Sequence, residues 1–370
     1  MALQVAYAQT QQRDVIAAMR ELSDRLGPDD LDGILFFCDP DNDLDALGPA
    51  IRATFACPVV GCTSSGQIGP EGFQACGMLV AGLRGGSLRL LPFPIAPLSD
   101  LQAQAALVSE TVQEIVAAAP DRRHFGLLLV DGLSACEEFL AAALYQMFGN
   151  VPLVGGSAGD NLRFERTHVY YDGRFLQDAA VFALFESAVP FATFKFQHFV
   201  ASDVELVITG ADRQRRIITE INGEPAALAY AEAIGVPAEA LDPMVFSTHP
   251  LLITLAGEPY VRSIQRVNED LSLTCYCAID EGRVVSVGKA VDVMATLATA
   301  FQNVRRAVPE PALVIGCDCI LRRVEFEQNG RAAEVGEFMA RQRVFGFSTY
   351  GEQFNGLHVN QTFTGVAIGG

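Results

Sequence analysis

Three stretches of this chain repeat one pattern: an apolar strand, a helix, a second short strand, then a loop of glycine and hydroxyl residues. The strands are Ile34-Leu35-Phe36-Phe37, Leu127-Leu128-Leu129-Val130 and Leu313-Val314-Ile315. The loops are Gly61-Cys62-Thr63-Ser64-Ser65-Gly66-Gln67, Gly155-Gly156-Ser157-Ala158-Gly159-Asp160 and Gly346-Phe347-Ser348-Thr349-Tyr350-Gly351-Glu352. A repeat of this size is one strand–helix–strand unit. The pattern predicts an α/β fold of two packed domains, built from such units with some antiparallel strands. Glycine lets the backbone turn sharply and approach a ligand closely, while hydroxyls and amides supply donors. The candidate ligand-loop residues are therefore Thr63, Ser64, Gly66, Ser157, Gly159, Asp160 and Ser348.

At 370 residues, half of them hydrophobic, the chain has enough apolar material for two domains or for one large pseudo-repeated α/β body. Charged residues make up 19%, below the usual quarter, which suits sheets buried on both faces. A formal charge of −18 argues against nucleic acid or an anionic membrane as partner. The N-terminus lacks the pattern of a signal peptide, and no apolar run is long enough to span a bilayer. Nine cysteines, an odd number spread along the chain, fit reduced thiols. A cytoplasmic protein is the expectation.

Periodicity predicts a helix over residues 10–26 capped by Thr10, a helix started by Asp39-Pro40, and a helix over 100–118. Met78–Ala81 and Leu88–Leu91 read as paired strands around Gly85-Gly86. Ser134-Ala135-Cys136-Glu137 reads as a capping box, with Asp318 in the corresponding place of the third unit. Alternation over 167–210 indicates antiparallel strands. The turn at Ile221-Asn222-Gly223-Glu224-Pro225 suggests a junction near 219, giving domains 1–218 and 219–370.

In order and spacing these elements resemble the FIST family, a pair of N- and C-terminal sensory domains of bacterial signalling proteins. Pro58 to Gly66 and Pro152 to Asp160 carry the N-terminal resemblance. Ile221-Asn222-Gly223, the loop Gly346 to Glu352, and His358-Val359-Asn360-Gln361-Thr362 carry the C-terminal one. The stand-alone form resembles the haem-binding, nitric-oxide-sensing subgroup called NosP. That resemblance implies a non-enzymatic sensor with b-type haem and nitric oxide as its signal. It implies control of a separate histidine kinase or cyclic-di-GMP enzyme within a two-component system, and it allows a homo-oligomer. With no output segment following the last strand, such a sensor is expected to act by contact with its partner.

Haem needs an axial donor and an apolar pocket. Of the five histidines, His124 lies in a polar loop, His168 and His198 lie in strand patterns, and His249 precedes Pro250. His358 follows the third loop and starts the last strand, so it is the candidate for the haem iron. Gly346, Phe347, Tyr350 and Gly351 would line the pocket with it. The competing reading is that His358 merely hydrogen-bonds across the domain junction. A non-haem metabolite, amino-acid-like, is the alternative ligand. Cys275-Tyr276-Cys277 and Cys317-Asp318-Cys319 make a four-thiolate zinc site conceivable. Gly155-Gly156-Ser157-Ala158-Gly159 matches a nucleophile-elbow string, which leaves a serine hydrolase using Ser157 as the enzyme alternative.

Overall fold

The structure is a computed structural model that describes residues 2–27, 30–255 and 257–370. Three six-stranded sheets of identical layout form its larger body. The first runs Gln4–Thr10, Met78–Arg84, Gly33–Cys38, Val59–Thr63, then the hairpin Val169–Tyr171 and Arg174–Leu176. The second runs Leu88–Ile95, Ala180–Ser187, Arg123–Val130, Leu153–Ser157, then Glu352–Phe354 and Leu357–Val359. The third runs Phe191–Phe196, Phe363–Gly369, Pro311–Cys319, Val344–Thr349, then Gln67–Gly69 and Gly72–Gln74. In every sheet the two repeat strands are parallel neighbours: Ile34 opposes Val59, Leu127 opposes Val154, and Val314 opposes Val344.

The outer hairpin of each sheet comes from a different repeat. The chain leaving the first loop completes the third sheet, that leaving the second completes the first, and that leaving the third completes the second. The exchange closes on itself, so no repeat has a complete sheet of its own.

Burial on both faces explains the unbroken apolar strands. Leu35 and Phe37, Leu127 and Leu129, and Leu313 and Ile315 meet in one central core between the three sheets. Their neighbours Ile34 and Phe36, Leu128 and Val130, and Val314 face away into separate helix-covered cores. Those helices include Val15–Leu26 and Leu44–Thr54 for the first repeat. Leu101–Ala118 and Glu137–Phe148 serve the second, and Val293–Ala307, Ile320–Gln328 and Ala332–Arg341 the third.

A smaller α/β body is inserted in the third repeat, between Phe191–Phe196 and Val293–Ala307. Its sheet contains Phe199–Asp212, Ile217–Ile221, Leu251–Leu255 and Val284–Ala290. Its core is its own, with Leu206, Ile208, Ile218, Tyr230 and Phe246 at the centre. The expected division at 218/219 falls inside the strand Ile217–Ile221, and Phe191–Phe196 from before that point pairs with Phe363–Gly369 at the end of the chain. The two bodies are therefore 199–290 and the remainder.

Local expectations shift in four places. Met78–Arg84 and Leu88–Ile95 are not partners: the first pairs within the first sheet and the second within the second, so Gly85-Gly86 links repeats. The first helix is capped by Asp14, whose carboxylate accepts from the Ala17 N–H, while Thr10 ends a strand. The second helix starts at Leu44 under Asp43, and Asp39 accepts from the Asp41 N–H instead. Ser134 makes no capping box, because its hydroxyl accepts from the Cys136 N–H just outside the helix.

The glycine-hydroxyl loops meet where the three sheets converge. The Thr63 carbonyl accepts from the Gly159 N–H at 3.1 Å, Ser157 from Tyr350 at 3.2 Å, and Ser348 from Ser65 at 3.2 Å. These three bonds close a ring around the pseudo-threefold axis. Gly61, Gly155 and Gly346 occupy equivalent positions, and a Cβ there would lie 2.5, 2.2 and 2.0 Å from the carbonyls of Phe36, Leu128 and Gly316. Backbone cannot yield as a side-chain tip can, so each site admits only glycine. Gly155→Ala is expected to lower unfolding stability by about 2–3 kcal/mol, read as a shifted denaturant midpoint; an unmoved midpoint would contradict the close packing.

Glu352 begins the hairpin that completes the second sheet. It is fully buried and accepts from Thr349 Oγ1 and from the Thr362 hydroxyl and N–H. Burial pushes its pKa from 4.5 up to about 8, against the pull of those hydrogen bonds. Because the folded value is raised, the contribution to stability is complete below pH 4.5 and is lost progressively as pH rises to about 8. Glu352→Gln mimics the protonated acid. The variant should lack a fall in unfolding free energy of about 1.4 kcal/mol per pH unit across that window, and identical slopes for the two proteins would refute the assignment.

Candidate functional site

The structure uses the predicted ligand loops to close the molecule. Thr63, Ser64, Ser157 and Ser348 are fully buried. Ser64 Oγ donates to the Cys38 carbonyl at 3.3 Å and accepts from Gln67 Nε2 at 3.0 Å. The Gly66 carbonyl accepts from the Ser348 N–H at 2.8 Å, and Gly159 packs on the Ser65 hydroxyl. Asp160 accepts from the N–H groups of Phe164, Glu165 and Arg166 and from the Tyr350 hydroxyl. Burial works to raise its pKa, but these bonds outweigh it and hold the carboxyl below its ordinary value. Apart from the Ser348 hydroxyl, which has no partner among the described residues, these donors and acceptors serve one another.

The residues expected around haem are dispersed. Phe347 lies in the central core, stacked on Phe37 with ring centroids 4.2 Å apart. Gly346 backs onto Gly316. Tyr350 joins Phe164 and Tyr276 in a separate aromatic cluster. Only Gly351 and His358 meet: a Cβ on Gly351 would lie 2.3 Å from His358 Cε1 and 2.7 Å from Nε2, so glycine is what admits the imidazole.

The two C-x-C pairs do not form a shared site. Cys275 belongs to the core of the inserted body, Cys317 to the central core, and burial raises the pKa of all four thiols. Among the described residues no group of three or more His, Cys, Asp or Glu is placed to hold a metal ion.

The arrangement with chemical potential lies where the inserted body covers the second repeat. A cleft of about 290 Å³ is lined there by Glu138, Arg213, Arg262, Asp280, Arg283 and His358. Glu138 comes from the first turn of the helix Glu137–Phe148, at the carboxyl end of the strand Arg123–Val130. This is the edge at which open α/β sheets bind ligands. His358 comes from the exchanged hairpin, and the arginines come from the insert.

Behind the cleft runs a buried polar chain. Arg216, on the insert, reaches across to the carboxylates of Glu137 and Glu138 and donates to the Tyr276 carbonyl at 2.9 Å. The two glutamates keep its pKa above the ordinary arginine value in spite of burial. Ser157 Oγ lies 3.4 Å from Glu137, Gln353 Nε2 lies 3.1 Å from Ser157 Oγ, and the same amide lies 3.2 Å from His358 Nδ1. The directions follow from the inventory of protons and from the Gln353 amide, whose nitrogen faces both Ser157 and His358. Glu137 can only accept, so Ser157 donates to it and accepts from the Gln353 amide, which also donates to His358 Nδ1. Nε2 therefore carries the imidazole proton, and it has no partner among the described residues. His358 is 3% exposed, and burial lowers its pKa, so the ring is neutral.

This site does not fit haem. Its walls carry three guanidinium groups and two carboxylates where a porphyrin needs apolar surface. Nor does it activate Ser157: the hydroxyl is buried, and Gln353 stands between it and the nearest imidazole. Sequence reasoning picked out His358 but missed Glu137, Arg216, Arg262 and Gln353. The charge concentration at Arg213, Arg215 and Arg216 was its one available signal.

Comparison with known proteins agrees with the resemblance to the FIST family. The FIST N domain matches residues 32–224 and the FIST C domain residues 226–355. An uncharacterized protein of Methanocaldococcus jannaschii is 22% identical over 251 residues, covering 58% of this chain and 48% of that protein. The chain thus spans about half the length of that relative. No described helix is long and apolar enough to cross a membrane. With one domain model matching more than half of its length and the other most of the rest, the chain belongs to the FIST family, whose domains generally sense small ligands in signalling.

Proposed function

We propose that this protein is a non-enzymatic sensor of a small, polar, non-haem ligand held in the cleft between the inserted body and the second repeat. The observation that carries the reading is His358: buried, neutral, lining a cleft built by both bodies, with an N–H that no group among the described residues accepts. An unmet buried donor is costly, about 1–3 kcal/mol, and a polar ligand with an acceptor relieves that cost.

The geometry also supports transmission. The bodies are joined by two crossings, near 197–198 and 291–292, which lie side by side because the Val291 N–H donates to the His198 carbonyl at 2.8 Å. The His198 ring is clamped between Glu325, at 2.8 Å, and Arg322, at 2.9 Å, which fixes the pivot to the larger body. Arg216 is the facing latch. A ligand touching both bodies favours one relative placement over others, and a partner that reads that placement receives the signal. A histidine kinase or cyclic-di-GMP enzyme is the partner class this reading keeps; haem-based nitric-oxide sensing is not favoured by the charged walls of the cleft.

The test is hydrogen exchange on the full chain, with ligands chosen by a thermal-shift screen of small polar metabolites and with haem as a separate arm. Binding should slow exchange at 138–142, 278–283 and 356–358. Protection confined elsewhere would contradict the cleft. So would one haem bound per chain with a Soret band that His358→Ala abolishes.

A further inference from the structure

The buried chain behind the cleft says which kind of group a ligand must bring, on the reading that the cleft is the sensing site. The proton order from Arg216 through Glu137, Ser157 and Gln353 leaves His358 Nε2 as a donor. Reversing that order takes a flipped Gln353 amide and gives up the Ser157 bond to Glu137, so with the amide as placed the imidazole proton sits on Nε2. Nε2 is itself buried, so a ligand atom that reaches it must come in from the cleft wall and must be an acceptor.

The arginines sharpen this. Asp280 is shared by two of them: Arg213 donates to it, and Arg283 lies 3.8 Å away. Arg262 donates only to the carbonyl of its own neighbour Val261, at 3.1 Å, and has no carboxylate within 4 Å among the described residues. Glu138 is already engaged by Arg216 and by the Ala278 N–H, which donates at 2.7 Å. The lining thus holds three guanidiniums against two carboxylates, both of which have partners. An unpaired guanidinium lining the same cleft as a neutral N–H donor is the donor set that carboxylate and phosphate groups take, the guanidinium in a bidentate fork. In a protein with formal charge −18, this local excess of positive charge would also draw a small anion to one place.

We infer that the cleft recognises the oxyanion of a small ligand, carboxylate or phosphate, through Arg262 and His358. Arg216, Glu137, Ser157 and Gln353 are positioning residues that set the donor state of the imidazole. The ligand's remaining part meets Ile253 and Leu357 at the rim of the same cleft. That mixture suits a short apolar or amphoteric acid better than a multiply charged one.

Calorimetric titration of the full chain tests this with inorganic phosphate, succinate, glutamate and butyrate as oxyanion probes, and with butyramide as the uncharged counterpart of butyrate. The four oxyanions distinguish phosphate from carboxylate as the source. At least one should bind and should outcompete the amide. Arg262→Gln and His358→Gln should each weaken it about ten- to a hundredfold while leaving the circular dichroism spectrum unchanged. Binding that persists in both variants overturns the inference, as does equal binding of the amide or no binding of any oxyanion at millimolar concentration. Ala278→Trp, which fills the cleft, separates this inference from the reading it rests on. Oxyanion binding that survives Ala278→Trp would remove the cleft as the site. A neutral or cationic ligand that is lost in Ala278→Trp would keep the cleft and sink the oxyanion.

Discussion

The architecture depends on a ring of three backbone hydrogen bonds in which each glycine-hydroxyl loop accepts from the next. Around that ring the three sheets lean on one another, and each repeat finishes its sheet with a hairpin from a neighbour. The arrangement is cooperative by construction, because no sheet is complete until all three loops are in place. It also explains why the loops are so poor in free backbone donors. In an isolated strand–helix–strand unit a glycine-hydroxyl turn presents open N–H groups, whereas here two further turns satisfy them.

The same geometry leaves one edge available for binding. The carboxyl end of the second repeat, with the first turn of the helix Glu137–Phe148, is covered by the inserted body rather than by another repeat. Residues from the repeat, the exchanged hairpin and the insert meet there in one charged cleft. Arg216 crosses between the bodies, and the polar chain it anchors fixes the proton on His358. A structural ion pair thus sets the chemistry of the group at the cleft wall. The buried pair would be weak evidence of stability taken alone; its value here is orientation.

Much of the fold was legible in the chain. The paired apolar strands and their helices followed from the repeated pattern, because strands buried on both faces leave continuous runs such as Ile34 to Phe37; the family came from the resemblance of the loop motifs. The hairpin exchange was not legible, since strands as short as Gln67–Gly69 carry no periodicity and their partners across the exchange lie more than a hundred residues away. The insert hid for a related reason: the strand Phe199–Asp212 continues almost directly from Phe191–Phe196, and the two family domains divide inside the insert, at 224–226. At the loops, glycine was read as room for a ligand, but at Gly61, Gly155 and Gly346 the space is taken by a neighbouring carbonyl. His358 stood out by position, yet its chemistry depends on Gln353, Ser157 and Glu137, a set assembled only by folding.

The central claim is that ligand enters the cleft between the bodies while the glycine loops act as the joint of the fold. A crystal structure of the full chain with a bound ligand tests it most directly. The account predicts ligand oxygen atoms within hydrogen-bond distance of His358 Nε2 and the Arg262 guanidinium, with the ring of loop hydrogen bonds intact. Ligand found among Thr63, Ser157 and Ser348, with that ring opened, would contradict it.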